Sequence, residues 1–206
     1  MSIWTARSSE YSKNPLFRSG PLDAIVSAMK DQRPIGLDDE QLELLRRFYQ
    51  EVDQRARTLA EANEAILQCR RGCADCCVDD LTVFQVEADH IRHFHGDLLT
   101  GGRANGAGGC AFLDGQGACR IYEHRPYVCR TQGLPLRWLD ETPDGRIMEM
   151  RDICPLNDRD QGLEDLPDER CWHIGPFEEV LANIQAYAHG GELARVPLRD
   201  LFRSQP

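Results

Sequence analysis

The stretch CRRGCADCC at residues 69–77 constrains this chain most strongly, because it places four thiols within nine residues. That density exceeds what the packing of an ordinary core requires. The remaining cysteines also lie in the middle of the sequence, at Cys110, Cys119, Cys129, Cys154 and Cys171. Thiolates are the ligands of tetrahedral zinc sites and of iron–sulfur clusters. The pattern therefore predicts a metal site that is assembled from several loops and holds a soft or borderline metal such as zinc, iron in a cluster, or copper(I).

The length of 206 residues fits one domain with short appendages. A content of 41% apolar and 28% charged residues is typical of a globular protein. Residues 1–20 are polar and lack periodicity, so we expect a poorly ordered N-terminal arm there. We expect a single cysteine-cluster metal-binding domain over residues 21–198, with a short helix at 22–30, and a C-terminal tail at 199–206.

Net charge and hydropathy restrict the partners and the location. A net charge of −10 argues against a nucleic-acid or anionic-membrane surface, because both attract basic patches. No run approaches the roughly 18 apolar residues of a membrane span, and the N-terminus lacks the apolar core of a secretory signal. We therefore expect a cytoplasmic protein, in which thiols stay reduced. Nine cysteines cannot all pair within the chain, so metal ligation is favoured over the alternative of disulfides.

A long helix is predicted over residues 38–68. Asp38 and Gln41 have the pattern of a capping box, and apolar residues recur at steps of three and four from Leu42 to Ile66, interrupted by Asn63. Such a seam packs either on another helix of the same chain or on a second protein, for example in a homodimeric coiled coil. The helix is expected to run directly into Cys69 and to position the first thiols.

Shorter elements complete the predicted fold. Thr82 and Gln85 again have the form of a capping box, which predicts a helix that ends at Gly96, with Phe84, Ala88, Ile91 and Phe94 on one apolar face. Alternating apolar residues on both sides of the TPDG turn at 142–145 predict a β-hairpin. A last helix is predicted from Pro176 to Gly190. The fold class is therefore mainly α with a small β-hairpin, a helical scaffold around a loop-built cysteine site.

Counting the thiols limits how they could bind metal. Four cysteines fill one tetrahedral site and eight fill two. Cys76 and Cys77 are adjacent, and neighbouring side chains diverge on most backbones, so they are expected to serve two ions, or one of them supports the core. Neither the spacing of a zinc ribbon nor that of a ferredoxin is present. Cys154 and Cys171 could each be a ligand or a small buried hydrophobe, and we include Cys154 among the candidate ligands.

Other candidate groups carry weaker signals. His90, His93 and His95 are spread around their predicted helix, so a shared ion is awkward and solvated positions are expected. A catalytic pair of Cys129 with His124 is disfavoured, because a nucleophile rarely needs so many companion thiols. The stretch GGRANGAGG at 101–109 fits no phosphate-binding motif and is expected to be a flexible loop that carries Cys110 inward.

Two motifs together resemble a known family, the bacterial cysteine-cluster proteins with a zinc- or iron-chelating CxxCxxCC domain. CRRGCADCC shares Gly72-Cys73 and Cys76-Cys77 with that family, although one extra residue separates Cys69 from Cys73. CAFLDGQGACRIYEHRPYVCR at 110–130 shares Cys-x-Phe-Leu, Cys-x-Ile-Tyr and Arg-Pro-x-x-Cys-Arg. The resemblance spans residues 69–130 and implies metal chelation through Cys69, Cys73, Cys76, Cys77, Cys110, Cys119 and Cys129.

The resemblance implies no settled reaction, so whether the chain is an enzyme stays open. We expect a cytoplasmic metal-binding protein whose site holds more than one ion. One alternative is an iron–sulfur or iron-dependent enzyme, either a redox protein or a relative of flagellin lysine N-methylases, which carry a similar cluster and use S-adenosylmethionine. Another is a structural zinc module that binds a protein partner through helix 38–68. Arg125 and Arg130 could donate hydrogen bonds to cluster sulfurs or form surface salt bridges.

Overall fold

The structure is a computed structural model that describes residues 36–70, 72–157 and 162–202. Helices make up 46% and strands 14% of it, which agrees with the predicted mainly α class. In chain order the helices and strands are α1 (Asp39–Ala62), β1 (Thr82–Phe84), α2 (Gln85–Gly101), α3 (Tyr127–Thr131), β2 (Leu136–Glu141), β3 (Ile147–Asp152), β4 (Trp172–His173), α4 (Ile174–Ala188) and β5 (Arg195–Pro197). The predicted arm at 1–20 and the predicted helix at 22–30 lie outside the described residues.

Helix α1 packs its apolar face within the chain, against α3 and α4. The capping box is confirmed, because Asp38 Oδ1 accepts from the Gln41 N–H at 2.8 Å and Gln41 Oε1 accepts from the Asp38 N–H at 3.1 Å. Leu45 and Val52 are fully buried on this face. The intramolecular alternative for the seam is therefore confirmed.

The predicted C-terminal end of α1 is wrong, because the helix ends at Ala62 and does not run into Cys69. Asn63 caps it, with Nδ2 donating to the carbonyls of Leu59 at 2.8 Å and Arg170 at 3.0 Å. Its short amide competes with helix continuation by bonding the backbone of a distant segment. Asn63 is thus buried to end α1 and to tie it to the segment before Cys171, not to fix the register of a coiled coil.

The helix predicted to begin after Thr82 begins two residues later, at Gln85. Thr82 is not an N-cap, since Thr82–Phe84 form β1 and pair antiparallel with β5. Glu87 supplies the capping carboxylate, with Oε2 accepting from the Phe84 N–H at 3.2 Å. Helix α2 continues past the predicted end at Gly96 to Gly101, with a break in helical backbone at His95.

The predicted hairpin is confirmed. Strands β2 and β3 pair antiparallel, with Trp138 opposite Met150, and the turn lies at residues 142–145. Strand β4 adds a short parallel pairing to β2, which gives the strand order β3-β2-β4. A strand of two residues has no periodicity, so the sequence does not reveal it.

The main core lies between the helices and β2, with Ile91, Phe112, Tyr127, Trp172 and Leu181 among its most buried members. A second, smaller cluster contains Ile66, Ile153, Leu166 and Cys171. Residues Leu198–Phe202, mostly assigned to a tail by the sequence, form a 3-10 helix in which Leu201 is fully buried. No helix in the described ranges has both the length and the apolar character that crossing a bilayer requires.

Candidate metal centre

The first cysteine segment, residues 69–77, contains two tight turns. The Cys73 N–H donates to the Arg70 carbonyl at 3.0 Å, and the Cys77 N–H donates to the Ala74 carbonyl at 2.9 Å. The interaction of the adjacent Cys76 and Cys77 thiols lowers the pKa of Cys76 to about 7 and raises that of Cys77.

Cys110 and Cys119 lie on a loop that is bonded to this first segment. The Cys110 N–H donates to the Cys77 carbonyl at 2.8 Å, and Leu113 forms an isolated antiparallel bridge with Cys119. The Asp114 carboxylate closes the loop by accepting, at 2.8 and 2.9 Å, from the backbone N–H groups of Gln116 and Ala118. Asp114 and Gly115 therefore lie in a turn, and this turn sets the separation of the two cysteines.

The glycine-rich loop that leads to Cys110 is held in place by Arg199. The Arg199 guanidinium pairs with Asp79 and donates to three carbonyl oxygens, those of Asn105 at 2.7 Å, Gly106 at 3.1 Å and Gly109 at 2.9 Å. Sequence analysis missed this residue because it lies about 90 positions from the loop. The loop carries Cys110 inward as expected. It differs from the flexible loop predicted, because the Arg199 guanidinium holds its backbone carbonyls.

Cys129 lies in the middle of α3, which a buried carboxylate anchors. Glu87 is 2% exposed, and its Oε1 accepts from the Tyr127 N–H at 2.7 Å and from the Tyr49 hydroxyl at 3.1 Å. Burial raises the pKa of Glu87, and the hydrogen bonds oppose that rise. Glu87 thus joins α1, α2 and the cysteine-bearing α3.

The two arginines that flank Cys129 have structural partners. Arg130 is buried, pairs with Asp53 at 2.5 Å and stacks over the Tyr49 ring at 4.1 Å. Arg125 pairs with Asp53 at 3.6 Å, and its charge opposes the burial that raises the pKa of Cys119. Arg130 is therefore a buried link between α1 and α3, whereas Arg125 also moderates the charge of a candidate ligand.

Cys69 and Cys154 are joined through Asn157. The Asn157 N–H donates to the Cys154 carbonyl at 2.9 Å, and its side chain bonds the Gln68 N–H at 2.8 Å and the Gly133 carbonyl at 2.6 Å. The same side chain hydrogen-bonds the Cys69 thiol. Sequence analysis missed Asn157. The only available signal was an Asn just after the Cys154-Pro155 turn.

The backbone favours thiolate at three of the candidate cysteines. Each thiol accepts from the N–H two residues further on, at Cys110 from Phe112, at Cys119 from Ile121 and at Cys154 from Leu156. Burial raises the pKa of all three, and these bonds lower it. A bound cation would oppose the burial penalty further, because it stabilises the deprotonated sulfur. The donor set therefore fits zinc or iron.

Candidate ligands from distant segments influence each other's pKa, and we call such pairs charge neighbours. Burial raises the pKa of Cys129 most, and the Cys110 and Cys119 thiols raise it further. Burial also raises the pKa of Cys69 most, and the thiols of Cys154, Cys76 and Cys73 add to that rise. In residues 36–70, 72–157 and 162–202, no three His, Cys, Asp or Glu side chains already have the arrangement of metal ligands.

Cys171 stands apart from these thiols. It is 2% exposed in the smaller cluster with Ile66 and Ile153, and Arg151 Nη1 lies 3.8 Å from its sulfur. Burial raises its pKa, and the charges of Arg151 and Arg137 lower it. These surroundings fit the alternative in which Cys171 is a buried hydrophobe.

The histidines form a separate group. His90 is 5% exposed, so the expectation of a solvated position is wrong for it, and burial followed by the His124 charge lowers its pKa to about 3. His95 Nε2 lies 3.0 Å from His124 Nδ1, and the Phe94 ring stacks on His124 at 4.1 Å. His93 is exposed as expected. His124 thus directs Nδ1 at His95, which lends no support to the Cys129–His124 pair.

One known family matches the part of the chain that contains the candidate ligands. Residues 68–155 match the family model CxxCxxCC, described as a "putative zinc- or iron-chelating domain". The chain carries a CxxCxxCC domain. The domain includes Cys154 and excludes Cys171, α1 and everything after residue 155. Comparisons with curated proteins and with solved structures returned no match.

Proposed function

We propose that this protein is a cytoplasmic metal-binding protein that holds more than one zinc or iron ion through cysteine thiolates. The ligands are Cys69, Cys73, Cys76, Cys77, Cys110, Cys119, Cys129 and Cys154. One observation carries the proposal: the backbone joins cysteines from distant parts of the chain to the 69–77 segment. The Cys110 N–H donates to the Cys77 carbonyl at 2.8 Å, and Asn157 links the Cys154 carbonyl to the Gln68 N–H beside Cys69.

The chemistry of the CxxCxxCC domain supports the same proposal. Soft thiolates select zinc or iron over hard cations such as magnesium and calcium. All nine cysteines of the chain are free thiols in the structure, the state that metal binding needs and that a reducing compartment maintains. The backbone N–H bonds to three sulfurs are the kind of outer contact that orients ligands.

Metal analysis of protein purified without oxygen tests the proposal. We expect stoichiometric zinc or iron, and a loss of reactive thiols when the metal is bound. Protein that stays metal-free after incubation with either ion, with thiols oxidised in pairs, would refute it. Brown colour with visible absorbance would identify an iron–sulfur centre and would favour the enzyme alternative.

The partner-binding alternative receives less support from the packing. The apolar seam of α1, which a partner helix would need, is buried against α3 and α4. A structural zinc module would therefore have to use another surface.

A further inference from the structure

The eight candidate ligands differ in whether they contact the main hydrophobic core. Four of them contact the main core, which we call the inner group: Cys77, Cys110, Cys119 and Cys129. The other four are not among the main-core contacts of the described residues, and we call them the outer group: Cys69, Cys73, Cys76 and Cys154. One thiol of each group is buried, Cys110 at 7% and Cys154 at 8% exposure, and the exposed candidate ligand, Cys69, belongs to the outer group.

Backbone contacts within each group agree with this division. In the inner group, Cys110 is bonded to Cys77 and its loop pairs at Cys119. In the outer group, Asn157 links Cys154 to Cys69. The charge neighbours of Cys154 are Cys76 and Cys73, and those of Cys129 are headed by Cys110 and Cys119.

The two groups meet where the sequence places two cysteines side by side. Cys76 and Cys77 are consecutive residues and belong one to each group, and Cys76 is also a charge neighbour of Cys129. Four thiolates complete one tetrahedral coordination shell. The chain therefore has the ligands of two shells, adjacent at this pair.

The charged surroundings of the groups are different. In the inner group, Arg120 and Arg125 lie near Cys119, Arg199 with its partner Asp79 lies near Cys110, and Glu87 lies near Cys129. In the outer group, the Cys73 sulfur lies 3.7 Å from the Asp75 carboxylate. A metal with four thiolates is anionic, so Arg120 and Arg125 stabilise such a complex on the Cys119 side of the inner group, and Asp75 does not do so in the outer group.

We propose that the centre holds two ions, an inner ion retained against the core and an outer ion that exchanges with solvent chelators. This inference rests on the proposed function. The inner shell is closed in by the core, by Arg199 and by α3, which restricts the access that ligand exchange requires. The outer shell includes an exposed thiolate at which a chelator can begin its attack.

The test follows metal release from the full chain, loaded with zinc and then mixed with an excess of chelator. Wild-type protein is expected to release about two ions per chain in two phases of equal amplitude, well separated in rate. Cys154→Ser removes an outer ligand, so it should lose the fast phase and keep the slow one. Cys171→Ser is the matched control, a buried cysteine outside both groups, and should keep both phases.

A second measurement uses wild-type protein alone and so does not depend on the folding of a variant. Zinc-loaded wild-type protein is treated briefly with chelator and an alkylating reagent, and the modified cysteines are identified by mass spectrometry. The inference predicts alkylation at Cys69, Cys73, Cys76 and Cys154 before the inner four. Release in one phase, equal alkylation of both groups, or loss of both ions from a folded Cys154→Ser protein would overturn the inference and leave the proposed function standing. Absence of bound metal in wild type would instead overturn the proposed function.

Discussion

Gly133→Ala offers a test of the outer group that leaves every cysteine in place. Gly133 has φ +92°, and a Cβ at this position would lie 2.6 Å from the Cys69 sulfur. Its carbonyl also accepts the Asn157 side chain that bonds the same thiol. The substitution therefore acts on backbone strain and on one candidate ligand together.

The expected loss of stability and of metal follows from the φ angle of Gly133 and from the 2.6 Å between its added Cβ and the Cys69 sulfur. A side chain at a left-handed backbone position costs about 1–2 kcal/mol. Non-bonded atoms separate by about 3.5–4.0 Å, so Cys69 or the 133 backbone must shift by about 1 Å. Metal–ligand distances tolerate about 0.2 Å, so the shift exceeds what an outer ion can accept. We expect a stability loss of about 1–3 kcal/mol and release of one ion.

Gly145→Ala is the matched control. Gly145 has φ +82° in the hairpin turn, and a Cβ at this position would lie 3.9 Å from Glu141 Oε1, an ordinary contact distance. Both variants should lose similar stability in urea unfolding, and only Gly133→Ala should lose metal by elemental analysis. Equal metal content and equal chelator release rates in the two variants would refute the placement of Cys69 as a ligand.

Two further predictions concern groups beside the centre. His90 has a pKa of about 3 in the fold against about 6.5 unfolded, so its stabilising effect is complete above pH 6.5 and is lost as pH falls towards 3. His90→Gln should reduce the loss of unfolding free energy between pH 7 and pH 5 by about 2 kcal/mol. Arg199→Ala should destabilise the protein by about 2 kcal/mol, the loss of charged hydrogen bonds, and should speed release of the inner ion.

Each of these predictions has a control and a contrary result. His93→Gln changes an exposed histidine of the same helix and should leave the pH dependence as in wild type. An unchanged pH dependence in His90→Gln would contradict the assignment of His90. Arg47→Ala removes an exposed ion pair with Glu43 and should change stability by less than about 0.5 kcal/mol. If Arg199→Ala releases the inner ion as slowly as wild type does, Arg199 does not position the Cys110 loop.

Local patterns in the sequence predicted the local parts of the fold. The capping box at Asp38, the buried face of α1 and the hairpin turn at 142–145 each depend on residues a few positions apart. The end of α1 was missed because Asn63 is held by Arg170, a contact over 107 positions. Strand β1 was missed because it exists through its pairing with β5, which no local pattern reports.

The candidate ligands could be named from the sequence, but not their division into groups. The density of thiols and the motif spacing pointed to Cys69–Cys129, and Cys154 shares the Cys-x-apolar pattern whose N–H bonds the sulfur. Which thiols are neighbours depends on Asn157, Glu87 and Arg199, and each of these joins distant segments.

X-ray absorption at the zinc or iron edge of metal-loaded protein tests thiolate binding most directly. If the eight cysteines are the ligands, each ion should show a shell of about four sulfur atoms, near 2.3 Å for zinc. Loss of one sulfur-coordinated ion per chain in Cys154→Ser should accompany that result. A first shell made of nitrogen and oxygen atoms at about 2.0–2.1 Å would contradict the account, because the metal would then be bound elsewhere on the chain.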